Sequence, residues 1–217
     1  MDIIFQLFQA LLHIDQVLFH LVDVYGALTY LILFLIIFCE TGLIITPFLP
    51  GDSLLFAAGS LAANTSNQFN IQILFLLLSI ASMLGNKVNY LAGRFIGPKI
   101  FSAKDAWFWN KKHLIEAHDF YQKHGGKAII LARFLPIIRT FAPFVAGIGG
   151  MNLRLFTFYN ILSALLWVGS LLGAGYFLGS QSFVKAHFTT IIYAIITLSL
   201  LPPLFSFSYH KFFARSS

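Results

Sequence analysis

The sequence predicts an all-α integral membrane protein: about four transmembrane helices plus two opposed re-entrant hairpins in an inverted repeat, with interfacial amphipathic helices. Three observations lead there. Of 217 residues, 58% are hydrophobic and 10% charged, with a mean hydropathy of +0.81; soluble domains average about 45–50% apolar and about 25% charged. The apolar residues gather into runs, and ~20 such residues suffice to cross a bilayer. Two of these runs are interrupted by proline and glycine and hold ionisable side chains. Hydrocarbon tolerates broken backbone only where it is buried in protein or lines a watery cavity.

The chain reads as a single polytopic membrane domain over 1–217. Residues 1–25 mix apolar side chains with His13, Asp15, His20 and Asp23, which suits an amphipathic helix lying at the interface. No Lys or Arg accompanies Met1 and no small-residue cleavage site follows, so this helix is expected to stay in the mature protein. A span plus the first hairpin fill 26–63: the run from Gly26 to Thr46 is apolar around Glu40, Pro47 and Pro50 break it, and Gly51-Asp52-Ser53 opens a half-length stretch from Leu54 to Ala63. Residues 71–97 form the next span, interrupted by Asn86, Lys87 and Asn89.

No Lys or Arg precedes Lys87, and seven basic residues (Arg94, Lys99, Lys104, Lys111, Lys112, Lys123 and Lys127) gather in and beside segment 98–127. The positive-inside rule places that segment in the cytoplasm and the uncharged loop Asn64 to Asn70 outside. Trp107, Trp109, Phe120 and Tyr121 among its charges suggest an interfacial helix. The second hairpin, 128–150, is interrupted by Pro136, Pro143, Gly147, Gly149 and Gly150. Phe48-Leu49-Pro50 and Phe134-Leu135-Pro136 make a weak internal repeat, each copy ending in a glycine, at Gly59 and Gly147. Opposed copies of that kind build midplane sites in secondary transporters. Spans at 155–178 and 191–209 complete the chain, and the basic bias puts both termini inside.

Charge inside an apolar segment costs at least ~2.5–3.5 kcal/mol, so each instance is a candidate functional residue. Four qualify: Glu40 and Asp52 as proton-coupling acids, Arg133 and Arg139 as substrate-binding cations. A guanidinium keeps its charge when partly desolvated and offers a planar fork of donors suited to phosphate, so two of them in one hairpin suggest an anionic headgroup. An acid that shares its arginine with a substrate can change protonation during a transport cycle. Structural roles stay open beside these: Asp52 as cap of the helix beginning at Ser53, Glu40 as static partner of an arginine, Arg133 as a side chain reaching to the interface. Ser53, Asn86 and Lys87 are secondary candidates. Lys87 reads as a side chain reaching for the inner surface, and Asn86 and Asn89 as partners for backbone.

No nucleophile with an adjacent base and no metal-ligand spacing stands out, so neither enzyme activity, a metal nor a cofactor is expected. His113, His118 and His124 read as a solvated helix face, and Cys39 as a small hydrophobe. The formal charge of +6 borders membrane segments without a nucleic-acid-binding motif, so no nucleic-acid partner is expected.

Phe38-Cys39-Glu40-Thr41-Gly42, Thr46-Pro47-Phe48-Leu49-Pro50-Gly51-Asp52-Ser53, Lys123-His124-Gly125-Gly126, Arg133-Phe134-Leu135-Pro136 and Arg139-Thr140-Phe141-Ala142-Pro143 together resemble the DedA family, also called the SNARE-associated or VTT domain. The resemblance covers almost the whole chain and fades in the C-terminal helix. It implies a bacterial inner-membrane protein with two opposed re-entrant hairpins. It further implies proton-dependent transport of membrane lipid, notably undecaprenyl phosphate returning to the cytoplasmic leaflet, in support of envelope homeostasis. Other members are linked to phosphatidylethanolamine, and eukaryotic relatives to phospholipid scrambling. The family's essential acids match Glu40 and Asp52, its essential arginines Arg133 and Arg139. Where relatives often place an acid in the third apolar segment, this chain has Asn86 and Lys87, so no acidic role carries over there. The expected partners are therefore a polyprenyl phosphate or phospholipid, and protons. An uncoupled scramblase and a non-transporting membrane-integrity protein stand as alternatives.

Overall fold

Two asparagines start the two longest helices. In the computed structural model, which describes residues 24–43, 51–64, 69–102, 121, 123–181 and five positions between 187 and 195, Asn70 Oδ1 accepts the backbone N–H groups of Gln72 and Ile73 at 2.8 and 3.3 Å. Asn152 Oδ1 does the same for Arg154 and Leu155 at 2.9 and 3.4 Å. These are N-caps that satisfy donors no helical carbonyl can reach. Six helices follow among the described residues: α1 Leu28–Gly42, α2 Gly51–Asn64, α3 Ile71–Ser102, α4 Lys127–Arg133, α5 Pro136–Ile148 and α6 Leu153–Gly179. The expected interfacial helix up to residue 23, the break at Pro47 and Pro50, segment 103–120 and the last span beyond 195 lie outside the described residues.

Two of these helices are long and apolar enough to cross a membrane, Ile71–Ile96 with 26 residues and Leu153–Gly179 with 27. Their side chains are arranged with apolar groups outside and polar groups within. On α3, Ile73, Leu76, Ile80, Leu84, Val88, Leu91 and Phe95 form an exposed stripe at helical spacing. The opposite stripe buries Ser79, Ser82, Asn86 and Asn89. Water would reverse this arrangement, whereas lipid makes exposed leucine free of cost and drives polar groups inward to find partners.

The segment expected to be broken at several points is broken at one. α4 ends at Arg133, Phe134 and Leu135 form the turn, and Pro136 starts α5 at a position where its missing N–H costs nothing. Pro143 and Gly147 do not interrupt α5; they lie inside it. Pro143 supplies no N–H to the Arg139 carbonyl, a loss that membrane helices tolerate when neighbouring groups re-satisfy the backbone. The chain then turns at Gly150, whose φ of +69° suits a residue without Cβ. At 1.5 Å per residue, the 13 residues of α5 reach about 20 Å, short of the ~30 Å hydrocarbon thickness.

The described residues pack as two compact units, one of those that fall within Met1–Leu33, Pro50–Leu76 and Val168–Ser217, the other of those within Phe34–Leu49 and Leu77–Trp167. Each contains the same helix contact. In the first, a Cβ on Gly59 of α2 would lie 2.1 Å from the Leu172 carbonyl oxygen of α6, and one on Gly175 would lie 2.0 Å from that of Phe56. In the second, a Cβ on Gly147 of α5 would lie 2.1 Å from the Tyr90 oxygen of α3, and one on Gly93 would lie 2.1 Å from that of Phe144. Both contacts pair a Phe and a Gly one helical turn apart on a short helix with a glycine on a long one. Such backbone-to-backbone approach is how small residues hold membrane helices together. The weak repeat of the sequence is thus a repeat of packing.

The second unit is closed by a core of Tyr90, Tyr121, Ile129, Ala146, Met151 and Phe156, with the Tyr90 and Phe156 rings stacked at 4.2 Å. Tyr90 donates its hydroxyl to the Met151 carbonyl, and Tyr121 to that of Ala142 at 2.8 Å. Burial pushes the Tyr121 phenol above its ordinary range, which keeps it a donor.

Candidate functional site

Within the second unit, α1, α4 and α5 bring three of the four intramembrane charges together. Glu40, in the last turn of α1, is fully buried. Arg139, in the first turns of α5, donates Nη2 to Glu40 Oε1 in a buried ion pair. Arg133, the last residue of α4, is 3% exposed and donates Nη1 to Ser163 Oγ at 3.2 Å and to Asn160 Oδ1 at 3.4 Å. The break at Phe134-Leu135 is what lets both arginines turn inward, one from each side of it.

Both guanidiniums lie over one ring. The Cζ of Arg133 is 5.1 Å and that of Arg139 5.0 Å from the centre of Trp167, within the ~6 Å at which an aromatic face attracts a cation. Two cations so placed repel each other, and Glu40 is the acid among the described residues that lines the cavity with them. Two guanidiniums and one carboxylate leave a formal excess of one positive charge. That is the electrostatic complement of a singly charged anion. The cavity they line, with Thr41, Asn86, Thr140 and Pro143, measures about 10 Å³, room for roughly one water. In this conformation it has no room for a headgroup.

Asparagines hold the surrounding helices in register. Asn160 Oδ1 accepts Asn86 Nδ2 at 2.9 Å and Asn160 Nδ2 donates to the Met83 carbonyl at 2.9 Å, tying α6 to α3 beside Arg133. Asn89 Nδ2 donates to the carbonyls of Thr140 and Thr41 at 2.7 and 3.3 Å. Asn160→Ala removes the acceptor of Asn86 and one acceptor of Arg133 together. It is expected to lower stability by about 1–3 kcal/mol, read as a fall in melting temperature in detergent. Thr157→Ala on the partly exposed side of the same helix is expected to stay within ~0.5 kcal/mol.

Not every candidate joins this cavity. Asn86 lines it. Lys87 is exposed on α3, on the outer side with Val88. Asp52 and Ser53 open α2 in the first unit, Asp52 half-buried and Ser53 buried. The sequence had not singled out Trp167, Asn160 or Ser163. The signal for Trp167 was its place in mid-span, since tryptophan favours membrane interfaces; for Asn160 it was an amide within an apolar run.

The VTT domain matches residues 49–177, more than half of this chain. Protein DedA of Escherichia coli (strain K12) is 50% identical over 211 residues, covering 97% of this chain and 96% of the relative. The chain belongs to the DedA family. Among its other relatives, inner membrane protein YqjA of Escherichia coli (strain K12) is 39% identical over 82% of this chain and 80% of that one. An uncharacterized membrane protein of Mycobacterium leprae is 42% identical over 83% and 80%. No solved structure matches. This DedA-family chain is a membrane protein, as its family and its membrane-protein relatives show, and its two long apolar helices and inward-facing polar stripe agree with that.

Proposed function

We propose that this chain translocates an anionic lipid, undecaprenyl phosphate or one like it, across the bacterial inner membrane at the expense of the proton gradient. The observation that carries this is the excess of buried cation: Arg133 and Arg139 against Glu40 on the face of Trp167. Within a membrane protein, a buried charge cluster of that sign suits a phosphate, which two planar donor forks can grip while the lipid tail stays in hydrocarbon.

In the cycle we infer, the headgroup competes with Glu40 for Arg139. A carboxylate that loses its guanidinium in an apolar setting is a bare buried charge, and taking a proton removes that cost. Lipid binding and protonation are thereby linked, and release to the opposite side returns the carboxylate to its arginine. Asp52, on α2, is the second acid of this reading, with Ser53 beside it. That the short α2 and α5 are each gripped by a long helix through the same Phe and Gly contact supports a repeat of two like segments; in the cycle we infer these are re-entrant hairpins that open the site alternately. In this reading both termini are cytoplasmic.

The test is translocation of undecaprenyl phosphate in proteoliposomes, with and without an imposed proton gradient. Gradient-dependent movement is expected for wild type. It should fall roughly 100-fold in Arg139→Ala, which removes about 3 kcal/mol of charge-assisted hydrogen bonding, and lose its gradient dependence in Glu40→Gln. Equal movement of ordinary phospholipids without a gradient would make the chain a scramblase. No movement of any lipid by folded protein would refute the transport reading.

A further inference from the structure

The arginine cavity is one side of the α4–α5 pair; the other side is a groove of about 780 Å³. Ala142 borders both spaces, and its carbonyl accepts the Tyr121 hydroxyl. Arg139, Thr140 and Pro143 face the cavity, whereas Ile138, Phe141 and Val145 face the groove. The groove is divided by chemistry along its length. Lys123, His124 and Lys127 form one end, all exposed. The wall beyond is apolar: Leu131, Leu135, Ile138 and Phe141 are 69%, 46%, 50% and 41% exposed. Exposed apolar side chains suit lipid on any face of this protein; this groove differs in that its apolar wall ends in two lysines. It matches an amphiphile with a negative head.

We propose that this groove is a docking site for an anionic membrane lipid, its headgroup held by Lys123 and Lys127 and one chain laid along Leu131, Leu135, Ile138 and Phe141. The occupant is a lipid and not a soluble anion, because a free phosphate would meet only the lysines, whereas a lipid meets both the lysines and the apolar wall of the same groove. Nor does a zwitterionic lipid fit as well, since it offers the lysines no net charge. From the transport reading the proposal takes only the sign of the cargo. It adds a second station, separated from the arginines by the thickness of one helix pair.

The test places the photo-crosslinking residue p-benzoylphenylalanine at Phe141 in the full chain, reconstituted in nanodiscs of phosphatidylcholine and phosphatidylglycerol. Intact-protein mass spectrometry reads the adducts. The same residue at Leu84, on the exposed stripe of α3, reports the bulk lipid ratio. Phosphatidylglycerol adducts at Phe141 should exceed that ratio, and Lys123→Gln with Lys127→Gln should cut the excess by up to roughly 30-fold, about 2 kcal/mol from two interfacial lysines. Arg139→Ala should keep the excess while losing translocation, so docking and transport fail separately. A ratio at Phe141 equal to that at Leu84, an excess that survives loss of both lysines, or a crosslink to protein in place of lipid would each overturn the proposal.

Discussion

Glu40→Leu will destabilise this protein more than Glu40→Leu and Arg139→Leu combined. The single change leaves two guanidiniums buried over Trp167 with the acid of their cavity gone. Removing one partner of a buried pair costs about 3–5 kcal/mol, whereas replacing both with apolar groups of similar volume is often neutral. The double variant loses one positive and one negative charge, so the cavity keeps the net charge of wild type and fills with hydrocarbon. Denaturant or thermal unfolding in one detergent measures both. The pair of variants also separates two accounts of the same ion pair. If Glu40 and Arg139 are a static clamp, the stable double variant should also work in the translocation assay. If they bind cargo and proton, it should be stable and inactive.

Equally large is the loss expected from Gly147→Leu. A Cβ there would sit 2.1 Å from the Tyr90 carbonyl oxygen and 2.7 Å from the Arg94 nitrogen, both backbone atoms of α3. Backbone cannot rotate away as a side chain can, so α3 and α5 must separate. The cost should reach or exceed the upper end of the ~1–3 kcal/mol typical of overpacking, because separation also draws Asn89 from the Thr140 carbonyl it holds at 2.7 Å. Gly59→Leu should do the same damage in the other unit, where the Leu172 carbonyl oxygen lies 2.1 Å away. Gly173→Ala is the control, with nothing within 4 Å of its added Cβ. Folded protein recovered by size exclusion, with its melting temperature, decides; tolerance of Gly147→Leu would show that the helices do not need this close contact.

The repeat in these contacts bears on how much could be read beforehand. Phe48-Leu49-Pro50 and Phe134-Leu135-Pro136 had suggested two related segments, and Gly59 and Gly147 had been placed at their ends. That Phe56 pairs with Gly175, and Phe144 with Gly93, was not legible, because the partners lie on other helices and a single glycine in an apolar run carries no address. The positions of the breaks were partly legible. Proline opens α5 at Pro136 but is absorbed inside it at Pro143, since one lost hydrogen bond ends a helix only when nothing else holds the backbone.

By itself the sequence determined the solvent, the approximate bounds of both long helices and the identity of the costly residues. Those follow from local quantities: run length against bilayer thickness, and the price of a charge in hydrocarbon. Glu40, Arg133 and Arg139 could be named from that cost alone. What only tertiary structure decided was which of the charges meet. Glu40 and Arg139 pair across 99 residues, Trp167 and Asn160 come from a span whose charge, Arg154, lies at its very start, and Asp52 packs in the other unit. The physical reason is that a membrane helix is apolar on nearly every face. Periodicity therefore says little about which side looks inward, and the inward side is settled by which small and polar residues find partners once the helices have packed.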